Sequence, residues 1–255
     1  MLLAIDIGNT NITLGVFDKD NPRATWRVAT DVNRTADQYA AELLTLLHHR
    51  DINRVEITEI AVCSVVPPLL GTFIELCTRY FHMPPFVVGP GVKTGVRIRM
   101  DNPREVGADR IVDAAAAHHL YGGPLIIVDF GTAITFDTVS REGDYLGGAI
   151  APGLTIAAEA LFTRTAALPR IQLMTPKHAI GTNTVDAMQS GLIFGYVGLI
   201  EGIITRIQKE LGEKALVVAT GGYASMLTGG TLIIDKVNSD LTLIGLRLIH
   251  ELNKA

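Results

Sequence analysis

Two stretches of the chain carry one plan. "LLAIDIGNTNITLGVFD" at residues 2–18 and "LIIVDFGTAITFDTV" at residues 125–139 each run from an apolar strand through aspartate, an apolar residue, glycine and polar residues into a second strand. Strand-like runs on both sides of a glycine-containing turn predict a β-hairpin. Finding the same hairpin in each half of the chain predicts an internal duplication, and so two similar lobes rather than one continuous core.

The rest of the chain fills in that plan. Ala24 to Ala29 is a third strand of a meander, and Thr35 with Gln38 forms a capping-box pair ahead of a helix to His49 whose leucines, Leu43, Leu44, Leu46 and Leu47, make the buried face. "IAVCSVVPPL" reads as a buried strand stopped by two prolines, and Pro85 to Val88 as another strand. "NPREVGADRIVDAAAAHHLYGG" reads as an alanine-rich helix ending at Gly122-Gly123. After the second hairpin come a strand through Tyr145 to Ile150, helical segments, the strand "ALVVATGG" and a final helix. The expected lobes are residues 1–117 and 118–255, with the last helix able to pack back on the first.

Composition narrows the partners. With 255 residues, 48% hydrophobic and 19% charged, the chain can bury one large core or two modest ones. A net charge of -4, with Lys and Arg scattered, leaves no footprint for nucleic acid or an anionic membrane. A small molecule is the expected partner. Cys63 and Cys77 are too few for a disulfide framework and lack zinc-site spacing, which leaves them as reduced core thiols. Met1 leads straight into a strand, with no secretory signal pattern, so a cytoplasmic protein is expected. The uncharged stretch 215–234 is interrupted by Gly221-Gly222 and Gly229-Gly230 and reads as strand, turn and short helix, not a membrane span.

The turns carry the chemistry. Gly8-Asn9-Thr10-Asn11 and Gly131-Thr132-Ala133 expose backbone N–H groups and O–H donors that can surround phosphate oxygens without a lysine. The carboxylates before them, Asp6 and Asp129, stand where they can hold a cation beside those phosphates. One such turn alone is an ordinary hairpin; two in matching positions form a nucleotide clamp. "GPGVKTG" at 89–95 has the wrong spacing for a P-loop and reads as a turn, while "VVATGGYASML" lets backbone approach a flat ring or a ribose. His118 and His119, adjacent on a helix, point in different directions and read as helix-end residues.

Duplicated phosphate turns with Asp, followed by a late strand-Gly-Gly-helix, resemble the acetate and sugar kinase, Hsp70 and actin superfamily, whose ATP lies between two ribonuclease-H-like lobes. The expected fold class is therefore α/β, with duplicated ribonuclease-H-like lobes of the actin-like ATPase kind and mixed sheets flanked by helices. Within it, "DIGNTN", "NPREVGADRIVDA", "DFGTAITFD", "LGGAIAPGL" and "IGTNTVDAMQSGLIFGYVGLIEG" are similar to the type III pantothenate kinase family over nearly the whole chain.

The resemblance implies ATP-dependent phosphorylation of pantothenate to 4′-phosphopantothenate, the entry step to coenzyme A. It implies that Asp6, Ile7, Gly8, Asn9, Thr10, Asn11, Ile12 and Thr13, with Thr132, hold ATP. It implies that Asp129 coordinates a monovalent cation, potassium or ammonium, and that magnesium accompanies the nucleotide near Asp6. It further implies a pantothenate site at Gly107, Ala108, Asp109, Arg110 and Thr184, with Asp109 accepting the proton of the primary hydroxyl. Met100 stands two places before "NP", where the family often has an aromatic residue, in the substrate-site wall. The residue types suit the chemistry: in-line phosphoryl transfer needs a positioned hydroxyl and a nearby carboxylate, and Arg110 can pair with a substrate carboxylate. Residue type alone leaves "GADR" open to a second reading as a helix first turn complementing the dipole.

Two rivals remain: another small-molecule kinase or a phosphatase of the superfamily, and a non-catalytic nucleotide-binding accessory protein. Intact Asp6, Asp109 and Asp129 speak against the accessory protein. Assembly is also addressed by the sequence. Thr184 can cap a long helix that runs to about Lys209 and carries Gly191, Gly195, Gly198 and Gly202 along one face. Each costs about 1 kcal/mol relative to alanine, so close approach by another helix is the expected offset, from a homodimer or from a helix of the same chain.

Overall fold

In the computed structural model, which describes residues 1–254, the chain divides into two compact units. The first comprises Met1–Val96, Asp101–Ala116 and the segment from Leu241 on; the second comprises Arg97–Met100 and Ala117–Asp240.

The first unit is built on a five-stranded sheet ordered β3-β2-β1-β4-β5, from β1 (Leu2–Ile7), β2 (Asn11–Asp18), β3 (Asn21–Ala29), β4 (Glu59–Ser64) and β5 (Phe86–Val87). The strands β1 and β2 pair antiparallel, and β1 and β4 pair parallel. Alternation sorts the side chains. Leu3, Ile5 and Ile7 join Ile60 and Val62 in a core with α1 (Ala36–His48) and α2 (Pro67–Leu76), whereas Leu2, Ala4, Ala61 and Cys63 face the opposite side. There they meet Val112 and Ala115 of α3 (Ala108–Tyr121) and Leu243, Leu246 and Ile249 of α7 (Leu241–Leu252).

Thr35 caps α1, with the Gln38 capping box complete. Leu43 and Leu47 are buried, and Leu44 and Leu46 pack against the core as partly buried residues. The two prolines that end the strand reading open α2, where the missing N–H of proline costs nothing in the first turn.

The second unit repeats the topology. Its sheet runs β11-β10-β7-β8-β9-β6, from β6 (Arg97–Ile98), β7 (Leu125–Phe130), β8 (Ala133–Val139), β9 (Asp144–Pro152), β10 (Leu216–Thr220) and β11 (Lys236–Val237). As in the first unit, an antiparallel meander of three strands is flanked on its first strand by two parallel ones. The strand β6 is an added edge, parallel to β9. One face of this sheet, with Ile126, Val128, Phe130 and Phe136, packs on α5 (Thr184–Leu211) through Leu192, Ile193, Tyr196, Ile200 and Ile204. The unit also holds α4 (Leu154–Arg164) and α6 (Ala224–Thr228). Asn183 caps α5, accepting from the Asp186 N–H at 2.9 Å, and Thr184 is the first helical residue.

Candidate active site

The sheet of the first unit fixes where Asp6 lies. It sits at the end of β1, half-buried, directly between Thr13 of β2 and Cys63 of β4 and on the α3 side of the sheet. The following turn closes by a Gly8 N–H bond to the Asn11 carbonyl at 3.1 Å. Thr30, just past β3, pins it further: its N–H reaches the Thr10 carbonyl at 3.0 Å and its hydroxyl the Gly8 carbonyl at 2.6 Å. Asn9, Thr10 and Asn11 remain exposed at the tip. Ile7 and Ile12 are fully buried, so they can offer a ligand only their backbone.

The helix α3 brings Asp109 toward the same place. The Asp109 carboxylate bends back to accept the Arg110 N–H at 2.8 Å, and its Oδ1 lies only 2.5 Å from where a Cβ on Gly107 would be. Glycine at 107 leaves that space open. The nearness of these groups registers on Cys63, whose thiol is pushed well above its ordinary range, first by burial and then by the negative fields of Asp6, Asp109 and Asp113. Asp6 and Asp109, far apart in sequence, thus both act on one thiol through their charge. Cys63 is protonated and inert there, and Cys77 is likewise buried, its thiol pushed up to about 12 by desolvation.

The second unit has the matching turn. Asp129, next to last in β7, stands between Thr135 of β8 and Thr220 of β10. The turn closes from the Gly131 N–H to the Ala133 carbonyl at 3.1 Å, and the Gly153 N–H pins the Thr132 carbonyl at 3.0 Å, as Thr30 does in the first unit. The Asp129 carboxylate lies against Gly221, whose φ of +90° belongs to glycine and whose absent side chain would clash with Oδ1. Met100 lies on this unit, its sulfur 2.8 Å from where a Cβ on Gly147 would stand. Thr184 begins α5 and is exposed. His118 and His119 lie in the last turn of α3, and His118 packs over Gly143.

Sequence reasoning missed Thr30, Cys63 and Gly221 as parts of these sites. Thr30 follows a strand with no local mark of its role, and Cys63 becomes a neighbour of Asp6 only through parallel pairing. Gly221 was legible as a close-approach glycine, though not as the neighbour of Asp129.

Chemically, the arrangement offers two pinned turns rich in N–H and O–H donors, each with a carboxylate at the strand end, and a further carboxylate, Asp109, near Asp6. Donors of this kind suit phosphate oxygens, and a carboxylate beside them suits a base or a cation ligand.

Comparison with known proteins fits this geometry. The family model for type III pantothenate kinase matches residues 2–206. A type III pantothenate kinase of Dehalococcoides mccartyi (strain CBDB1) is 56% identical over 253 residues, 99% of this chain and 96% of its own length. Among solved structures, a conserved Campylobacter jejuni protein of the Baf family of transcriptional activators superposes with a TM-score of 0.61 at 21% identity, covering 98% of both chains. The polyphosphate/ATP-glucomannokinase of Arthrobacter sp. strain KM follows with 0.51 at 15% identity, covering 99% of both. At those identities the structural likeness speaks for the fold alone: duplicated ribonuclease-H-like lobes of the sugar-kinase and actin-like kind. By family match and by sequence identity over nearly its full length, the chain belongs to the type III pantothenate kinase family.

Proposed function

We propose that the protein transfers the γ-phosphoryl group of ATP to the primary hydroxyl of pantothenate, giving 4′-phosphopantothenate, the first step of coenzyme A biosynthesis. Besides family membership, the observation that carries this reading is that Asp6, near the end of β1, lies on the sheet face against which α3, the helix that begins with Ala108 and Asp109, packs. A nucleotide-side carboxylate and a candidate base then serve one reaction. Asp109 accepts the proton of the attacking hydroxyl, and Arg110 pairs with the pantothenate carboxylate through its two-pronged guanidinium. ATP is bound through residues 6–13 and Thr132, with Gly107, Ala108, Met100 and Thr184 on the substrate side. Positioning and charge neutralisation dominate such a transfer.

The donor sets fit the expected ions. Among the described residues no group of three or more His, Cys, Asp or Glu side chains could hold a metal by itself. Magnesium in phosphoryl transfer needs no such cage, since one or two carboxylates, water and phosphate oxygens complete its shell; Asp6 supplies that carboxylate. Bound there, magnesium neutralises phosphate charge. At Asp129 the absence of a side chain on Gly221 lets the carboxylate lie against the strand-to-helix turn, and a carboxylate oxygen there is a suitable ligand for a potassium or ammonium ion.

The assembly we infer is a homodimer through α5. Gly191, Gly195 and Gly198 have open space where a Cβ would stand, and Phe194 on the same helix is exposed. The helix is long and apolar enough to cross a bilayer by length and composition. Its opposite side, however, is part of the core of a mixed sheet, a position that lipid cannot surround. A second copy covering the glycine face is the better occupant, in a cytoplasmic enzyme that binds neither membrane nor nucleic acid.

The direct test is ADP release with and without pantothenate. Release that is indifferent to pantothenate refutes the substrate, and equal rates in potassium, ammonium and sodium refute the cation assignment.

A further inference from the structure

In both units the turn after the aspartate is pinned from the third strand of the meander, and the register shows that the pin is the same one. Asn11 opens β2 across from Ala29, and the residue after Ala29, Thr30, gives its N–H to the Thr10 carbonyl at 3.0 Å. Ala133 opens β8 across from Pro152, and the residue after Pro152, Gly153, gives its N–H to the Thr132 carbonyl at 3.0 Å. The copies then part. Thr30 adds a second bond, from its hydroxyl to the Gly8 carbonyl at 2.6 Å. Position 153 has no side chain to do so: a Cβ there would run into the Thr132 carbonyl oxygen and stand 2.6 Å from that of Gly131. Any further steadying of the second pin comes from another element.

Tyr196 of α5 supplies it. Its hydroxyl donates to the Pro152 carbonyl at 2.8 Å, while the Gly153 carbonyl, at 3.4 Å, already accepts the Ala157 N–H at 3.0 Å in the first turn of α4. A phenol has one hydrogen to give, and the shorter contact takes it. Tyr196 is buried, and burial pushes its phenol above the ordinary range, so the hydroxyl keeps its proton. A buried tyrosine needs some acceptor, and many carbonyls would serve. This one belongs to the peptide that joins Pro152 to Gly153, whose other end is the N–H that pins Thr132. The peptide unit is planar, so holding its oxygen fixes the direction of its N–H. Hydrogen bonds in series also polarise one another, which makes that N–H a stronger donor. Tyr196 therefore acts on the turn across a single peptide, in direction and in strength.

We propose that Tyr196 is a positioning residue for ATP: through the Pro152–Gly153 peptide it holds the Thr132 carbonyl, and with it the turn from Gly131 to Ala133, in the conformation that receives phosphate. This rests on the reading of Thr132 as an ATP contact.

The test uses the full chain, well below its melting temperature. Affinity for a non-hydrolysable ATP analogue is measured by calorimetry, and KM is measured for ATP and for pantothenate. Tyr196→Phe removes one oxygen and keeps the ring. It is expected to weaken the analogue and raise KM for ATP by roughly two- to tenfold, the worth of one hydrogen bond, with KM for pantothenate unchanged. Ile200→Val, one turn further along α5 in the same core, controls for lost packing: it should melt lower and bind ATP like wild type. If Tyr196→Phe melts lower but binds ATP like wild type, or if Ile200→Val weakens ATP equally, the hydroxyl is a core group only and the proposal is overturned. Thr132→Val separates this from the underlying reading. If that variant binds the analogue like wild type, the ATP assignment of the turn falls, and the proposal with it. If it binds weakly while Tyr196→Phe does not, the turn keeps its ATP and only the role of Tyr196 is lost. Should Tyr196→Phe fail to fold, hydrogen exchange in the wild-type chain decides: a protected Gly153 amide supports the pin, and one that exchanges as freely as an exposed loop amide overturns the proposal.

Discussion

Replacing Gly221 by alanine probes the closest approach in the second turn. Two costs can be worked from the structure. The φ of +90° at this position is one that an L side chain rarely adopts, a penalty of roughly 1–2 kcal/mol. The added Cβ would also meet Asp129 Oδ1 and come within 2.7 Å of the backbone N and C of Phe130. Phe130 ends β7, which is held by β10 on one side and β8 on the other, so its backbone cannot step aside freely. Overpacking of that kind costs about 1–3 kcal/mol, for a total of roughly 2–5 kcal/mol. In a protein of this size that lowers the melting temperature by roughly 4–20 °C.

Only part of the strain passes through the carboxylate. In an Asp129→Ala background the added cost of Gly221→Ala should shrink without vanishing, because the Phe130 contacts and the φ penalty persist. Thermal melting of the four proteins gives the coupling, and pantothenate-dependent ADP release shows whether the displaced carboxylate slows turnover. A Gly221→Ala protein that melts within about 1 °C of wild type and turns over normally would refute the close approach, since the smaller penalty alone predicts more.

Asp109→Asn should leave ATP binding nearly intact while lowering turnover by roughly a hundredfold or more, the loss expected for a positioned base; near-normal turnover returns Asp109 to a structural role. Gly195→Leu or Gly198→Leu, examined by light scattering beside the kinase assay, should give a folded monomer with impaired activity; a variant that stays dimeric and active rules out this helix as the interface. His250 packs edge-on against Phe86, with ring centroids 5.5 Å apart, and its pKa is held below the ordinary 6.5, chiefly by burial, with Glu59 and Glu251 opposing and Lys254 assisting. The unfolded chain therefore binds this proton more readily, so stability is fully present above about pH 6.5 and is lost as pH falls from there toward the lowered folded value. His250→Gln should flatten that acid-side loss in urea titrations at successive pH values, and an unchanged slope would discount the histidine.

What could be read from the sequence was whatever local chemistry decides. The hairpin β1-β2 and its copy β7-β8 declare themselves through strand pattern and glycine turn, and Thr35 with Gln38 marks the start of α1 because both halves of a capping box lie within four residues. The buried strand before Pro67 and Pro68 was legible, but the helix they open was not, since α2 has no side-chain cap to announce it. The start of α5 was placed one residue late because Asn183 and Thr184 are both good caps, and only the bond from Asp186 N–H chooses between them. The strands β6 and β11, two residues each, are too short for a period to show. In the site, Asp6 and Asp129 were legible from their repeated setting. Their neighbours were not, because Cys63 reaches Asp6, and Thr220 reaches Asp129, through parallel pairing between strands distant in sequence.

The return of α7 to the first unit sets an order on how this protein can come into being. Leu241, Leu243, Leu246 and Ile249 are all fully buried, three of them against the face of the sheet that carries Asp6. Burial of each contributes about 1.5–3 kcal/mol, comparable in sum to the whole stability of an ordinary domain. On the ribosome, where domains usually fold as they emerge, the strands that carry the first aspartate are made first, yet the helix that covers them follows every other described element. The second unit, continuous from Ala117 to Asp240 apart from its short edge strand, is therefore positioned to fold before the first is complete. Until then the older half of the nascent chain presents an apolar sheet face covered only by α3, and a chain cut short before Leu241 would keep the rest of that face exposed, as a target for chaperones and proteases.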